Sequence, residues 1–131
     1  MKYLTQFIDK PMTKLLDDCG AFYAFSKKQL NEQKKEGIKY INMGSGLLCP
    51  SENVKKFIIK SDSIFKEGIK KDIKEHGKKR IIWRELQNYE TQINCELDTV
   101  FDVLKDYNIT EEEIKKEFKK YFQYCIKEDL F

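Results

Sequence analysis

The sequence predicts an α+β fold in a single domain, residues 1–131, with a small three-stranded antiparallel sheet near the amino end packed against a carboxy-terminal helical layer. Three observations predict it. Ile38 to Met43 (IKYINM) alternates between faces, with Ile38, Tyr40 and Asn42 opposite Lys39, Ile41 and Met43. The glycines of Gly44-Ser45-Gly46 separate that run from the apolar run Leu47 to Cys49. From Ser51 onward, apolar residues recur at intervals of three and four, which is the period of a helix with one buried face.

The elements follow from local signals. Tyr3, Leu4, Phe7 and Ile8 share one helical face, and Pro11 suits the first turn of a new short helix through Leu15 and Leu16, stopped by Gly20. Ala21 to Phe25 (AFYAF) is aromatic without helical spacing and reads as a strand. Ser26 with Gln29 three residues on is a capping-box pattern, opening a short helix that runs to Gly37. After the two further strands, Val54, Phe57, Ile58, Phe65, Ile69 and Ile73 mark a long helix with a soft point at Ser61-Asp62-Ser63 and a stop at Gly77. Ile81, Ile82, Leu86, Tyr89 and Ile93 form a second stripe. Leu97, Val100, Phe101 and Leu104 form a third, closed by Asn108. Thr110 with Glu113 is a second capping box, and its helix carries Ile114, Phe118, Tyr121, Phe122 and Cys125.

The glycine pair fails the phosphate-binding patterns. A dinucleotide fingerprint requires a third glycine leading into a helix, and here Cys49 and Pro50 stand in its place. A Walker loop requires a terminal Gly-Lys-Ser/Thr, and a nucleophile elbow requires G-x-S-x-G; neither is present. A strand reversal needs positive φ, which glycine supplies. The pair therefore reads as a hairpin turn, with a backbone-amide anion site as the alternative.

With 40% hydrophobic and 13% aromatic residues, 131 residues can build one core, and 36% charged residues must coat its surface. No apolar run approaches the ~18 residues of a membrane span, and Met1 to Lys10 lacks the pattern of a signal peptide. The expected location is the cytoplasm. Cys19, Cys49, Cys95 and Cys125 form no close pair and read as buried, inert thiols rather than disulfides or zinc ligands. His76, the only histidine, lies at a helix end, where a cation complements the helix dipole. No catalytic residue, metal site or cofactor is indicated.

Charge is sorted along the chain. Residues 51–84 hold eleven Lys/Arg against five Asp/Glu, and residues 85–113 hold one Lys against nine Asp/Glu, giving +6 and −8. Lys70, Lys71, Lys74 and Lys78, continued by Lys79, Arg80 and Arg84, form a basic side able to meet phosphates. Asp98, Asp102, Asp106, Glu111 and Glu112 form an acidic counterpart able to dock on a basic channel of another protein. The plain alternative for both is a solvated or self-compensating surface.

The stretches "AFYAFS", "KYINMGSGLLCP", "IIWRELQNYE" and "CIKEDLF" resemble a family of small uncharacterised proteins carried by phages and mobile elements of Firmicutes. The resemblance implies an origin among small proteins that include host-defence inhibitors of the anti-CRISPR type, which act by binding an effector. The leading expectation is therefore a non-enzymatic inhibitor that binds a bacterial defence protein such as a CRISPR nuclease. A nucleic-acid-binding accessory protein using the lysine-rich face is the second, held back by a net charge of only +3. A small enzyme or nucleotide binder at the glycine turn is the third.

Overall fold

The structure, a computed structural model, describes residues 2–131. These fall into two compact units, one ending at Gly68 and one spanning Ile69–Phe131.

The first unit opens with α1 (Thr5–Cys19). Pro11 lies inside this helix and does not start a new one. The ring removes one amide donor from the ladder, at a cost of about 3 kcal/mol. Burial of Leu15 and Cys19, with Met12 and Leu16 packed beside them, opposes that loss. Gly20, at φ 69°, caps the helix as expected.

β1 (Phe22–Tyr23), β2 (Tyr40–Gly44) and β3 (Leu47–Pro50) form an antiparallel sheet in the order β1-β3-β2. Phe22 pairs with Leu48, which in turn pairs with Asn42, and Ile41 pairs with Cys49. The Leu48 side carries Phe22 and Tyr40, whose rings meet edge to face at 5.3 Å. On the other side Leu47 and Cys49 join Leu15, Cys19, Ala21 and Phe57 in one buried cluster.

Gly44, Ser45 and Gly46 are the reversal between β2 and β3, with φ of 94°, 52° and 83°. The ladder shifts register between Asn42 and Gly44, and the Asn42 carboxamide oxygen accepts the Gly44 amide at 2.8 Å. Gly46 serves a second purpose. A Cβ there would stand 2.5 Å from the Phe25 ring, so only glycine lets that ring lie over the turn.

Between β1 and β2, α2 (Lys27–Gln33) is capped by Ser26, whose Oγ accepts the Gln29 amide at 3.2 Å. The Gln29 side chain reaches back to the Phe25 amide, one residue before the usual partner. The helix ends at Gln33 rather than Gly37, because Lys34 turns to extended backbone at ψ 141°. After a tight 3₁₀ turn at Ser51–Asn53, α3 (Val54–His76) runs unbroken. Ser61-Asp62-Ser63 does not interrupt it. The Ser61 hydroxyl donates to the Ile58 carbonyl within the helix, and Asp62 pairs with Lys66 one turn on.

The second unit takes the end of α3 and adds α4 (Lys78–Asn88), α5 (Thr91–Asn94), α6 (Asp98–Lys105) and α7 (Glu111–Lys127). The stripe from Ile81 to Ile93 is two helices, not one. Glu90 adopts the left-handed region at φ 51°, and the buried Thr91 hydroxyl donates to the Leu86 carbonyl across the break. Ile81, Leu86, Val100, Leu104 and Ile114 are fully buried at the centre. The Thr110–Glu113 capping box forms in full, opening α7 as the spacing predicts. Among the described residues no helix is long and apolar enough to cross a membrane.

Candidate functional site

The second unit buries a cluster of charge that the linear sequence conceals. Asp72, on α3, is completely buried. Arg84, on α4, meets it with both terminal guanidinium nitrogens at 2.9 Å. The Tyr107 hydroxyl donates to Asp72 Oδ2 at 2.6 Å, and His76 Nδ1 lies 2.8 Å from Oδ1. Arg84 Nε donates to Glu85 at 2.9 Å, which leaves both charges well supplied with partners.

Local sequence explains the arrangement. Asp72 and His76 stand one helical turn apart, on the same side of α3 as the apolar Ile69 and Ile73, so the amphipathic face carries the carboxylate inward. Arg84 and Glu85 lie between the fully buried Ile82 and Leu86. Burial alone would raise the Asp72 carboxyl, but hydrogen bonds from Arg84, Tyr107 and His76, with the Arg84 charge, hold it below the usual carboxylate range. Burial and the bond to Asp72 push the Tyr107 phenol up, so it stays protonated. Burial would lower Arg84, yet its carboxylate partners raise it further above its ordinary value. An ionised carboxylate with every acceptor position filled and no exposed surface is a poor general base. The cluster fastens α3, α4 and the segment before α7 to one another.

Arg84 therefore leaves the basic surface to which the sequence assigns it. Its side chain is 3% exposed because Asp72 draws it inward. Lys70, Lys71, Lys74, Lys78 and Arg80 are exposed as expected. So are Asp98, Asp102, Asp106, Glu111 and Glu112. None of these five acids has an ion-pair partner among the described residues. Asp98 opens α6 and Glu111 and Glu112 open α7, where acids complement the helix dipole.

His76 ends α3, as the helix-cap reading expects, but its ring belongs to the buried cluster. Cys19, Cys49 and Cys125 are buried; Cys95 is not. It sits in the left-handed region at φ 55° as the cap of the short α5, a position at the surface rather than in the core. Burial, with the neighbouring Cys19, pushes the Cys49 thiol up. Among the described residues no group of three metal-ligating side chains comes together.

In the first unit, sequence reasoning missed a further feature. Tyr23 and Phe25 are 46% and 73% exposed, and their rings stack in parallel at 6.1 Å. A surface depression of about 320 Å³ opens beside Phe25, floored by Ala24, Leu30 and Leu48. The signal was present in alternate aromatics at 23 and 25, but a strand reading assigns such residues to a core.

The fold and its sites define a class: an α+β protein with a ribbon-like sheet in one unit, a helical unit pinned by a buried Arg–Asp pair, and acidic and basic residues on separate helices. The chain belongs to a family of unknown function, DUF7659, which matches residues 4–124. No curated protein and no solved structure matches it.

Proposed function

We propose that the protein is a non-enzymatic interaction protein that docks on a basic surface of a bacterial defence effector of the CRISPR-nuclease class, in the host-cell cytoplasm. One observation carries the docking reading: Asp98, Asp102, Asp106, Glu111 and Glu112 are exposed and have no ion-pair partner among the described residues. Carboxylates four residues apart repeat every ~6 Å along a helix. One strand of nucleic acid carries a charge every ~3.4 Å. The row thus offers about half the charge density of the ligand that a nuclease channel is built to hold. Such complementarity acts mainly on association rate and specificity. The effector class rests on the resemblance to phage and mobile-element proteins.

The test compares two triple charge reversals. Changing Asp98, Asp102 and Asp106 to Lys should abolish inhibition of a guide-programmed nuclease and slow association with it, while changing Lys70, Lys71 and Lys74 to Glu should leave both nearly intact. Unimpaired inhibition by the acidic triple refutes the docking surface. A second reading, a nucleic-acid-binding accessory protein, is favoured by the exposed Lys71, Lys74, Lys78 and Arg80, which have no ion-pair partner among the described residues. A gel shift of duplex DNA that only the lysine triple removes would establish it instead.

A further inference from the structure

We propose that the depression beside Phe25 is a binding site for single-stranded nucleic acid, with one base seated against Phe25 and the strand continuing past Tyr23. The residues that line the site all belong to the first unit.

The argument begins with the polar groups of the depression. Asn42 uses its carboxamide oxygen on the Gly44 amide, which leaves its NH₂ to donate outward. Ser26 uses an Oγ lone pair on the Gln29 amide and keeps its O–H. Lys27 brings an ammonium. All three present hydrogen-bond donors, so the ligand they fit is rich in acceptors and negative in charge. Carbonyl-bearing bases and phosphates meet that description.

The apolar half of the site fits the flat half of such a ligand. Phe25 is 73% exposed, although the Gly46 turn and the parallel Tyr23 ring hold it in place. An exposed ring held by its backing is a stacking platform that needs little ordering on binding. The volume of about 320 Å³ lies near the lower end of the range for small-ligand sites, with room for one base and its sugar and not for a large cofactor.

Two observations favour a strand over a free nucleotide. Tyr23 sets a second exposed ring beside the first, where the next base can stack. Lys28, Lys34, Lys35 and Lys39 are exposed and lie outside the depression, with no ion-pair partner among the described residues. Residues 21–50, the segment that supplies the whole lining, hold five Lys against two Glu, more positive charge than one phosphate could use.

The experiment is fluorescence anisotropy with labelled ten-residue oligo(dT) and oligo(U) at two salt concentrations. Wild type should bind at least one of them, more weakly at the higher salt. Phe25→Ala should weaken binding about five-fold or more, since stacking on one ring is at stake. Phe25→Trp should retain it. Lys27→Glu should weaken binding and flatten its salt dependence, and the Lys70/Lys71/Lys74 triple should leave it unchanged. Because position 25 is exposed, melting temperatures should match wild type and separate lost binding from lost fold. Absence of binding by wild type, or binding indifferent to Phe25→Ala, overturns the proposal. Equal affinity for free UMP overturns the strand, and displacement by an acidic peptide as effective as by oligonucleotide overturns the ligand class.

Discussion

Replacing Asp72 by Leu tests whether the buried cluster is what holds the second unit together. The change takes the Asp72 carboxylate from Arg84, whose Nε still bonds Glu85, and removes the acceptor of the 2.6 Å bond from Tyr107. Breaking a buried pair from one side costs about 3–5 kcal/mol, because the surviving charge stays desolvated. Total stability for a domain is about 5–15 kcal/mol, so the variant should sit near the edge of folding. Arg84→Met exposes Asp72 to the mirror-image loss and takes the Arg84 Nε bond from the buried Glu85, while the double variant removes the Asp72–Arg84 pair whole and keeps only the Glu85 loss that Arg84→Met already carries. Chemical denaturation of all four proteins should therefore give a double variant more stable than the sum of the singles by at least about 2 kcal/mol. If a single variant does not fold, Tyr107→Phe offers a milder test, with an expected loss of about 1–2 kcal/mol from the hydroxyl bond. Single losses that simply add within about 0.5 kcal/mol would refute the idea that the cluster acts as a unit.

The same cluster sets the pH response. Asp72 has a folded value below its ordinary one, so its contribution is present above about pH 4 and lost as acid protonates the folded carboxylate; Asp72→Asn should flatten that acid limb in thermal melts. Tyr107 is raised, so its contribution holds below about pH 10 and disappears as the folded phenol ionises, a limb that Tyr107→Phe should lack. At the hairpin, Gly46→Ala should destabilise more than Gly44→Ala. Both φ values are positive, worth about 1 kcal/mol, but only position 46 meets the Phe25 ring, and equal losses would contradict the packing. Among the thiols, Cys95 should react with a soluble disulfide reagent in the native state, while Cys19, Cys49 and Cys125 should react only on unfolding; mass spectrometry of the labelled protein decides.

What could be read from the sequence was local. The two caps, at Ser26 and Thr110, and the reversal at Gly44-Ser45-Gly46 rest on chemistry within four residues, and they stand where spacing puts them. Pro11 misled because its preference for a first turn is only local, and the burial of Leu15 and Cys19 outweighed it. Arg84 misled in the opposite sense. It follows a run of lysines in sequence, yet its partner is twelve residues back on another helix, and no linear count of charge reveals a pairing of that kind. An acid in an apolar stripe was the available clue: Asp72 falls between Ile69 and Ile73, where solvation alone would never place it. The acidic row was legible for the converse reason, since its residues face water and depend on no distant partner.

The order β1-β3-β2 has a consequence for how the chain acquires its shape. The strand made last is the one to which both others bond, so as residues emerge in order during synthesis, β1 and β2 wait without a common partner until Leu47–Pro50 appears. The β2–β3 ribbon then closes through a turn of a few residues, a microsecond event. β1 must be captured across the intervening helix, a longer loop with a larger closure entropy. Assembly of the sheet is thereby timed by its middle strand, and a nascent chain halted before Leu47 holds two strand segments and no sheet.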